Sequence, residues 1–344
     1  MGAIIKVVLL FLLTVGSYSS LSSDTDNPMS LLFSKPKGSI TITNVDEQTQ
    51  EPIPGSQYVI TEANTSEVLQ IVTTGDDGIA KSGLFEYGPD YVVTQRSVMA
   101  PYQINEQPYA VEIKKEETVV TTNNSFPDYI KQAARTEERS VAIESVFMDV
   151  AVLKQLPELP NGCEITALTG VLNYYGYDVS KLVMADEYLA QEPFKLLDGK
   201  RYGADPDLAF AGNPRDNSGF FAYAGPIVAA ANKYLQWIDG HHIATDLTGS
   251  SREEIIAHLN QGNPVVIWVT LDLSPPNINY AWYFHDSGQY FEAPVNLHAV
   301  VLNGYSGDQV DVMNPLEGQV SYSADAFFSS YQALGSHAMI VTGE

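Results

Sequence analysis

Between Gly38 and Thr122 the chain is written almost wholly in short β-branched or aromatic runs, "SITITNVDE", "QYVITEA", "EVLQIVTTG", "YVVTQRSV" and "YAVEIKKEETVVTT", a texture that stops beyond Ser145. Turn-forming "PIPGS", "TGDDG" and "EYGPD" separate the runs. Alternation of this kind turns one face of each strand inward, so the segment predicts a small antiparallel β-sandwich over 38–122. From 146 to 344 apolar residues recur at helical spacing among isolated strands, which predicts a second, α+β domain. The charged, weakly periodic 123–145 between them reads as a linker with a short helical piece. No internal repeat joins the two halves.

The N-terminal "MGAIIKVVLLFLLTVGSYSS" has one early Lys, an apolar run from Val7 to Val15 and then small residues, the layout of a signal peptide over 1–20. The apolar run is short of the roughly 20 residues a spanning helix needs, although an uncleaved anchor is the alternative. A polar tether over 21–37 follows. The expectation is a secreted or cell-surface protein that meets the membrane only through its N-terminal segment. A net charge of -24 argues against nucleic acid as a partner, because like charges repel; oligomeric state is left open.

One cysteine in 344 residues makes an internal disulfide impossible. For an exported chain that leaves buried filler, an intermolecular link or a reactive thiol. In "NGCEITALTGVLNYYGY" apolar residues fall at Ile165, Leu168, Val171, Leu172 and Tyr175, one face of a helix that Gly176 ends. Cys163 then sits in the first turn, where unpaired N–H groups and the helix dipole lower a thiol pKa. A thiolate nucleophile needs a base, and of six histidines His298 opens the strongly apolar strand "HAVVLNGYSG", a stiff mount. The next strand ends at Asn314-Pro315, where Asn314 can fix the imidazole tautomer. Cys, then His on a strand, then Asn on the following strand is the papain-type order. Gln155, on the segment leading to the helix, is a candidate oxyanion donor with the Cys163 N–H. Asn161 competes for that role and equally fits a helix cap. The long "QEPFKLLDGKRYGADPDLAFAGNPRDNSGFFAYAG" lacks periodicity and reads as a loop walling a substrate groove, its Phe220, Phe221 and Tyr223 fitting either groove or core. "SSREEII" offers a capping box from Ser251 to Glu254. There is no HExxH, no second cysteine, no full-length EF-hand loop and no phosphate loop, so no metal or other cofactor is expected.

Two resemblances attach to these residues. "GSITITNVD", "PIPGSQYVITEA" and "TTGDDGIAKSGLFEYGPDYVV" resemble the SpaA-like, Cna B-type prealbumin-like pilin module. Many members of that family carry a Lys-to-Asn or Lys-to-Asp isopeptide bond promoted by a Glu; Asn44 stands here in the place of the Lys and Gln95 in that of the Glu, so a spacer without the cross-link is expected. The segment from "FMDVAVLKQLPELPNGCEITALTGVLNYYGY" through "HAVVLNGYSGDQVDVMNPLEG" to "ALGSHAMIV" resembles the C39-like cysteine peptidases related to bacteriocin-processing leader peptidases. That resemblance implies a papain-like α+β fold with Cys163 as nucleophile, His298 as base and Asn314 as third member, where many relatives carry Asp. The transporter parts of the leader peptidases are absent, so their substrate is not carried over. The expected activity is a cysteine peptidase acting on a peptide or protein substrate. Cell-wall peptide hydrolysis and a non-catalytic adhesin, including one with a Cys–Gln thioester, are the alternatives.

Overall fold

The alternating runs become strands, and β-strands over Gln57–Glu62, Asp90–Ser97 and Glu117–Asn124 bury alternate side chains. The computed structural model describes residues 35–136 and 140–343; the expected signal segment and the tether up to residue 34 lie outside the described residues. Among these, no helix is long and apolar enough to cross a membrane. The chain divides into two units, the first reaching Asn124 and the second comprising 100–103 and the residues from Ser125 onward.

The first unit holds β1 (Lys37–Asp46), β2 (Gln57–Glu62), β3 (Val68–Thr73), β4 (Ile79–Lys81), β5 (Phe85–Glu86), β6 (Asp90–Ser97), β7 (Tyr109–Glu112) and β8 (Glu117–Asn124). One sheet runs β4-β1-β5 with β8 parallel to β1; the other runs β3-β2-β6-β7. Ile40, Ile42, Tyr58, Ile60, Val93 and Ile113 fill the space between them. The amides of Asn44, Gln95 and Asn124 are buried here, and all are paired. Asn44 donates to the Ser56 hydroxyl at 2.8 Å and accepts from Thr122 at 3.0 Å. Gln95 and Asn124 exchange reciprocal amide bonds of 2.9 and 2.7 Å. A buried polar network costs stability only where a member goes unpaired.

In the second unit, β9 (Ile130–Arg135) and β10 (Val141–Phe147) replace the expected helix-bearing linker with an antiparallel hairpin. β10 joins the central sheet at Gly304, where a Cβ would lie 2.5 Å from the Val146 carbonyl oxygen. Only glycine permits that approach. The apparent linker is therefore part of the second core, through Ile130 and Val146.

Further along lie β11 (Gln191–Glu192), β12 (Lys195–Leu197), β13 (Lys200–Gly203), β14 (Phe210–Ala211), β15 (His242–Asp246), β16 (Val265–Thr270), β17 (Ile278–Phe284), β18 (Tyr290–Pro294), β19 (Leu297–Ser306), β20 (Gln309–Asn314), β21 (Gly318–Ser323) and β22 (Ala338–Gly343). The main helices are α1 (Cys163–Tyr174), α2 (Ala224–Trp237), α3 (Arg252–Asn260) and α4 (Ala324–Ala333). The central sheet runs β15-β22-β16-β19-β10-β9, with β20 and β21 continuing from β19. β16 is apolar and buried at every residue but Thr270, itself buried, as expected of a strand covered on both faces.

α1 differs from its expected one-sided burial: Cys163 through Leu172 are all buried. It packs on β19 and β16 and touches α2, and Gly170 brings it within 2.8 Å, measured from an added Cβ, of the Met313 methyl. α2 instead buries Ile227, Ala230, Ala231, Tyr234 and Leu235, a single stripe. α3 begins with the expected Ser251–Glu254 capping box. The stretch read as an unstructured groove loop contains strands. Asp198 and Gly199, at φ 50° and 74°, turn β12 into β13, the positive-φ pair that a two-residue hairpin uses. β13, β17 and β18 complete a small sheet over a core of Ala204, Ala211, Phe221, Trp282 and Ala293. Phe221 is thus core, and Phe220 and Tyr223 pack partly buried against it.

Candidate active site

Three ties bring the four singled-out residues together. The Ala299 N–H, next to His298, points to the Cys163 Sγ at 3.4 Å. His298 Nε2 lies 2.9 Å from Asn314 Oδ1. The Gln155 N–H donates to the carbonyl of Pro315, the residue after Asn314, at 2.9 Å. Helix α1, strand β19, the end of β20 and the approach to α1 therefore meet at one place.

The protonation of His298 follows from its neighbour. Asn314 Oδ1 also accepts from the Leu316 N–H at 2.8 Å, while its Nδ2 faces the Tyr322 hydroxyl at 3.3 Å, which fixes the amide orientation. An oxygen facing Nε2 requires the proton there, leaving the lone pair on Nδ1. Burial pushes the His298 pKa down to about 4, against the smaller upward pull of the Asn314 bond, so the imidazole is neutral at physiological pH.

Cys163 departs from the low-pKa thiol that its helix position predicts. It is 7% exposed, and its pKa is raised well above the ordinary value, first by burial and then by the adjacent Glu164 carboxylate. The thiol donates to Glu164 Oε2 at 3.3 Å and makes no hydrogen bond to His298. Desolvation outweighs the helix dipole, whose effect is worth about 0.3–1 kcal/mol at an exposed site.

Glu164 is the site residue that the sequence reading missed. It is fully buried, its Oε1 accepts from the Ala222 N–H at 3.2 Å, and burial pushes its pKa up to about 7. The only available signal is an acid inside an apolar run, and that signal is meaningful only once α1 is known to be buried on all sides. A carboxyl raised from 4.5 to about 7 on folding leaves stability intact below pH 4.5 and withdraws it as pH climbs through 7. The withdrawal amounts to roughly 3 kcal/mol. Glu164→Gln removes this titration and keeps an acceptor for Ala222, so the variant should melt higher than the parent at pH 8, with the gap closing toward pH 4.5. The His298 contribution, lost as pH falls from 6.5 toward 4, is common to both proteins and cancels. A gap independent of pH in paired thermal melts would contradict this assignment.

Gln155 is buried; one N–H of its side chain donates to the Pro160 carbonyl at 2.9 Å, leaving the second N–H available and Oε1 unpaired. Asn161 is not the helix cap, since α1 starts from Gly162 without a side-chain cap. Its Nδ2 donates instead to the Asp216 carbonyl at 2.7 Å, and its N–H to that of Pro214 at 3.2 Å, tying the 213–216 loop to the mouth of α1.

A cysteine in the first turn of a central helix, facing a His and an Asn on adjacent antiparallel strands, defines the papain-like α+β class. Residues 147–339 match the Peptidase_C39 like family, and the chain belongs to it. Residues 38–125 match the SpaA prealbumin-like fold domain. The uncharacterized protein YvpB of Bacillus subtilis is 31% identical over 198 residues, covering 56% of this chain and 75% of its own. A crystal structure assigned as a C39-like peptidase of Bacillus anthracis is 32% identical, with a TM-score of 0.52, over 58% of this chain and 98% of that one. GBS52, a minor pilin of Streptococcus agalactiae, is 22% identical with a TM-score of 0.24, over 29% of this chain and 48% of its own.

Proposed function

We propose that the second unit is a cysteine-type amide hydrolase acting on peptides, exported and carried at the cell surface with the prealbumin-like unit as spacer. The observation that carries this reading is the 2.9 Å His298–Asn314 bond beside the Cys163 thiol. As Sγ attacks the scissile carbonyl carbon, its proton passes to His298 Nδ1, and the Asn314 bond steadies the imidazolium. The tetrahedral oxyanion is met by the Cys163 N–H, which has no carbonyl partner within the helix, and by the free Gln155 amide N–H. Collapse returns the proton from His298 to the leaving amine and leaves a thioester. Water, deprotonated by His298, then releases the acid and restores the thiol.

With one cysteine in the chain, alkylation is a clean test. Iodoacetamide should extinguish peptide hydrolysis in step with one added label by intact mass; hydrolysis that survives full labelling would sink the proposal. Labelling at neutral pH is expected to be slow, because the resting thiol is buried and neutral, and Glu164→Gln should speed it roughly threefold for each unit by which it lowers the thiol pKa, the gain in thiolate being partly offset by its lower nucleophilicity. The same burial, and the missing Cys163–His298 bond, favour one other reading, a binding protein with an inert thiol. That protein would label only when unfolded and hydrolyse nothing.

A further inference from the structure

In a chain where 42 acids face 18 Lys and Arg, several cations of the second unit are ion-paired: Lys181 with Glu158, Arg215 with Asp186, Arg252 with Asp325. Others are not, Lys195 and Arg201 among them. These two share a cleft of about 410 Å³ and, among the described residues, neither has an ion-pair partner or a hydrogen-bonded side chain. The Arg201 guanidinium lies 5.6 Å from the Phe194 ring centroid and 4.8 Å from that of Tyr280. Rings hold an arginine through its plane and leave its edge donors free, the fork that matches a carboxylate.

The opposite wall of the cleft is the loop bearing Asn213 and Asp216. That loop is bonded to Asn161, two residues before Cys163, and its continuation bonds Glu164 through the Ala222 N–H. Through these bonds one wall of the cleft is tied to the mouth of the helix that bears the thiol. Asp216 adds one negative charge to the lining, leaving a net charge near +1, which suits a monoanionic carboxylate better than a phosphate dianion.

We propose that this cleft is a carboxylate subsite, with Arg201 as the bidentate donor and Lys195 as the second charge, so that the enzyme selects peptides bearing a carboxylate near the scissile bond. As a statement about substrate it rests on the hydrolase reading; as a binding site it does not.

The test is therefore a titration of the full chain carrying Cys163→Ala, followed by NMR of the arginine side-chain N–H groups. Three probes are used: N-acetylglutamate α-amide for a side-chain carboxylate, N-acetylalanine for a terminal one, and N-acetylglutamine α-amide as neutral control. At least one carboxylate should saturate a shift that is absent in Arg201→Gln, about tenfold or more tighter than the neutral control, and the better of the two identifies the source. Equal binding of all three probes, no saturation with either carboxylate, or binding unchanged in Arg201→Gln would overturn the subsite. Saturable carboxylate binding by a protein that hydrolyses no peptide would leave the site standing and remove only the hydrolase reading.

Discussion

Cys163→Ala is expected to lower kcat for peptide hydrolysis by at least roughly 10⁴, since removing the nucleophile of a catalytic set leaves only binding and oxyanion stabilisation. The variant should fold, because Ala suits a buried first-turn position and the Ala299 N–H loses only a weak sulfur acceptor. His298→Ala should fall nearly as far, the two acting as one unit. Asn314→Ala removes the acceptor that fixes the tautomer and the turn bonds from Leu316 and Glu317. Its loss should be about 10² or more in kcat, within the range of acid–base contributions. Asn314→Asp keeps the acceptor and adds a buried negative charge, so the His298 pKa should rise from about 4, moving the acid limb of the pH–rate profile upward. Full hydrolysis by Cys163→Ala in a fluorogenic peptide assay would end the cysteine mechanism outright.

Trp268→Ala carries the largest expected cost in stability, about 4–5 kcal/mol. Trp268 is fully buried in β16 between β19 and β22, and its Nε1 donates to the Ala222 carbonyl at 2.9 Å. Truncation leaves a cavity and an unpaired carbonyl together. Trp268→Phe fills most of the space and loses only the bond, and should cost about 1–2 kcal/mol. Against a total of about 5–15 kcal/mol, the Ala variant removes a large share. All three tryptophans lie in the second unit, so fluorescence in urea reports that unit alone and leaves two reporters in each variant. Ala222 also bonds Glu164, so the Ala variant should expose Cys163 to iodoacetamide faster than the Phe variant. Equal midpoints for the two variants would contradict this account.

Where the periodicity was strong, the sequence was legible. β2, β6 and β19 and the α3 capping box follow from spacing and cap chemistry alone. β9 and β10 were illegible because their charged exposed positions mask a pairing that only β19 supplies. The β12–β13 hairpin was signalled by Asp198-Gly199, but the Pro- and Gly-rich surroundings hid its strands. Phe221 went unassigned because a cluster of aromatics looks alike in a groove and in a core until Trp282 is placed against it.

The candidate site divides in the same way. Local chemistry along the chain determined that one thiol stands at the start of a helix, that His298 opens one strand and that Asn314 closes the next. The proton state of that thiol was decided elsewhere. It depends on the Ala222 N–H, 58 residues from Glu164, and on the Ala299 N–H, 136 residues from Cys163. It depends too on the packing that removes water from α1 on every side. Helix position acts through the first turn of one segment, whereas desolvation is a property of everything packed around it, so only the tertiary structure could reverse the sign of the shift.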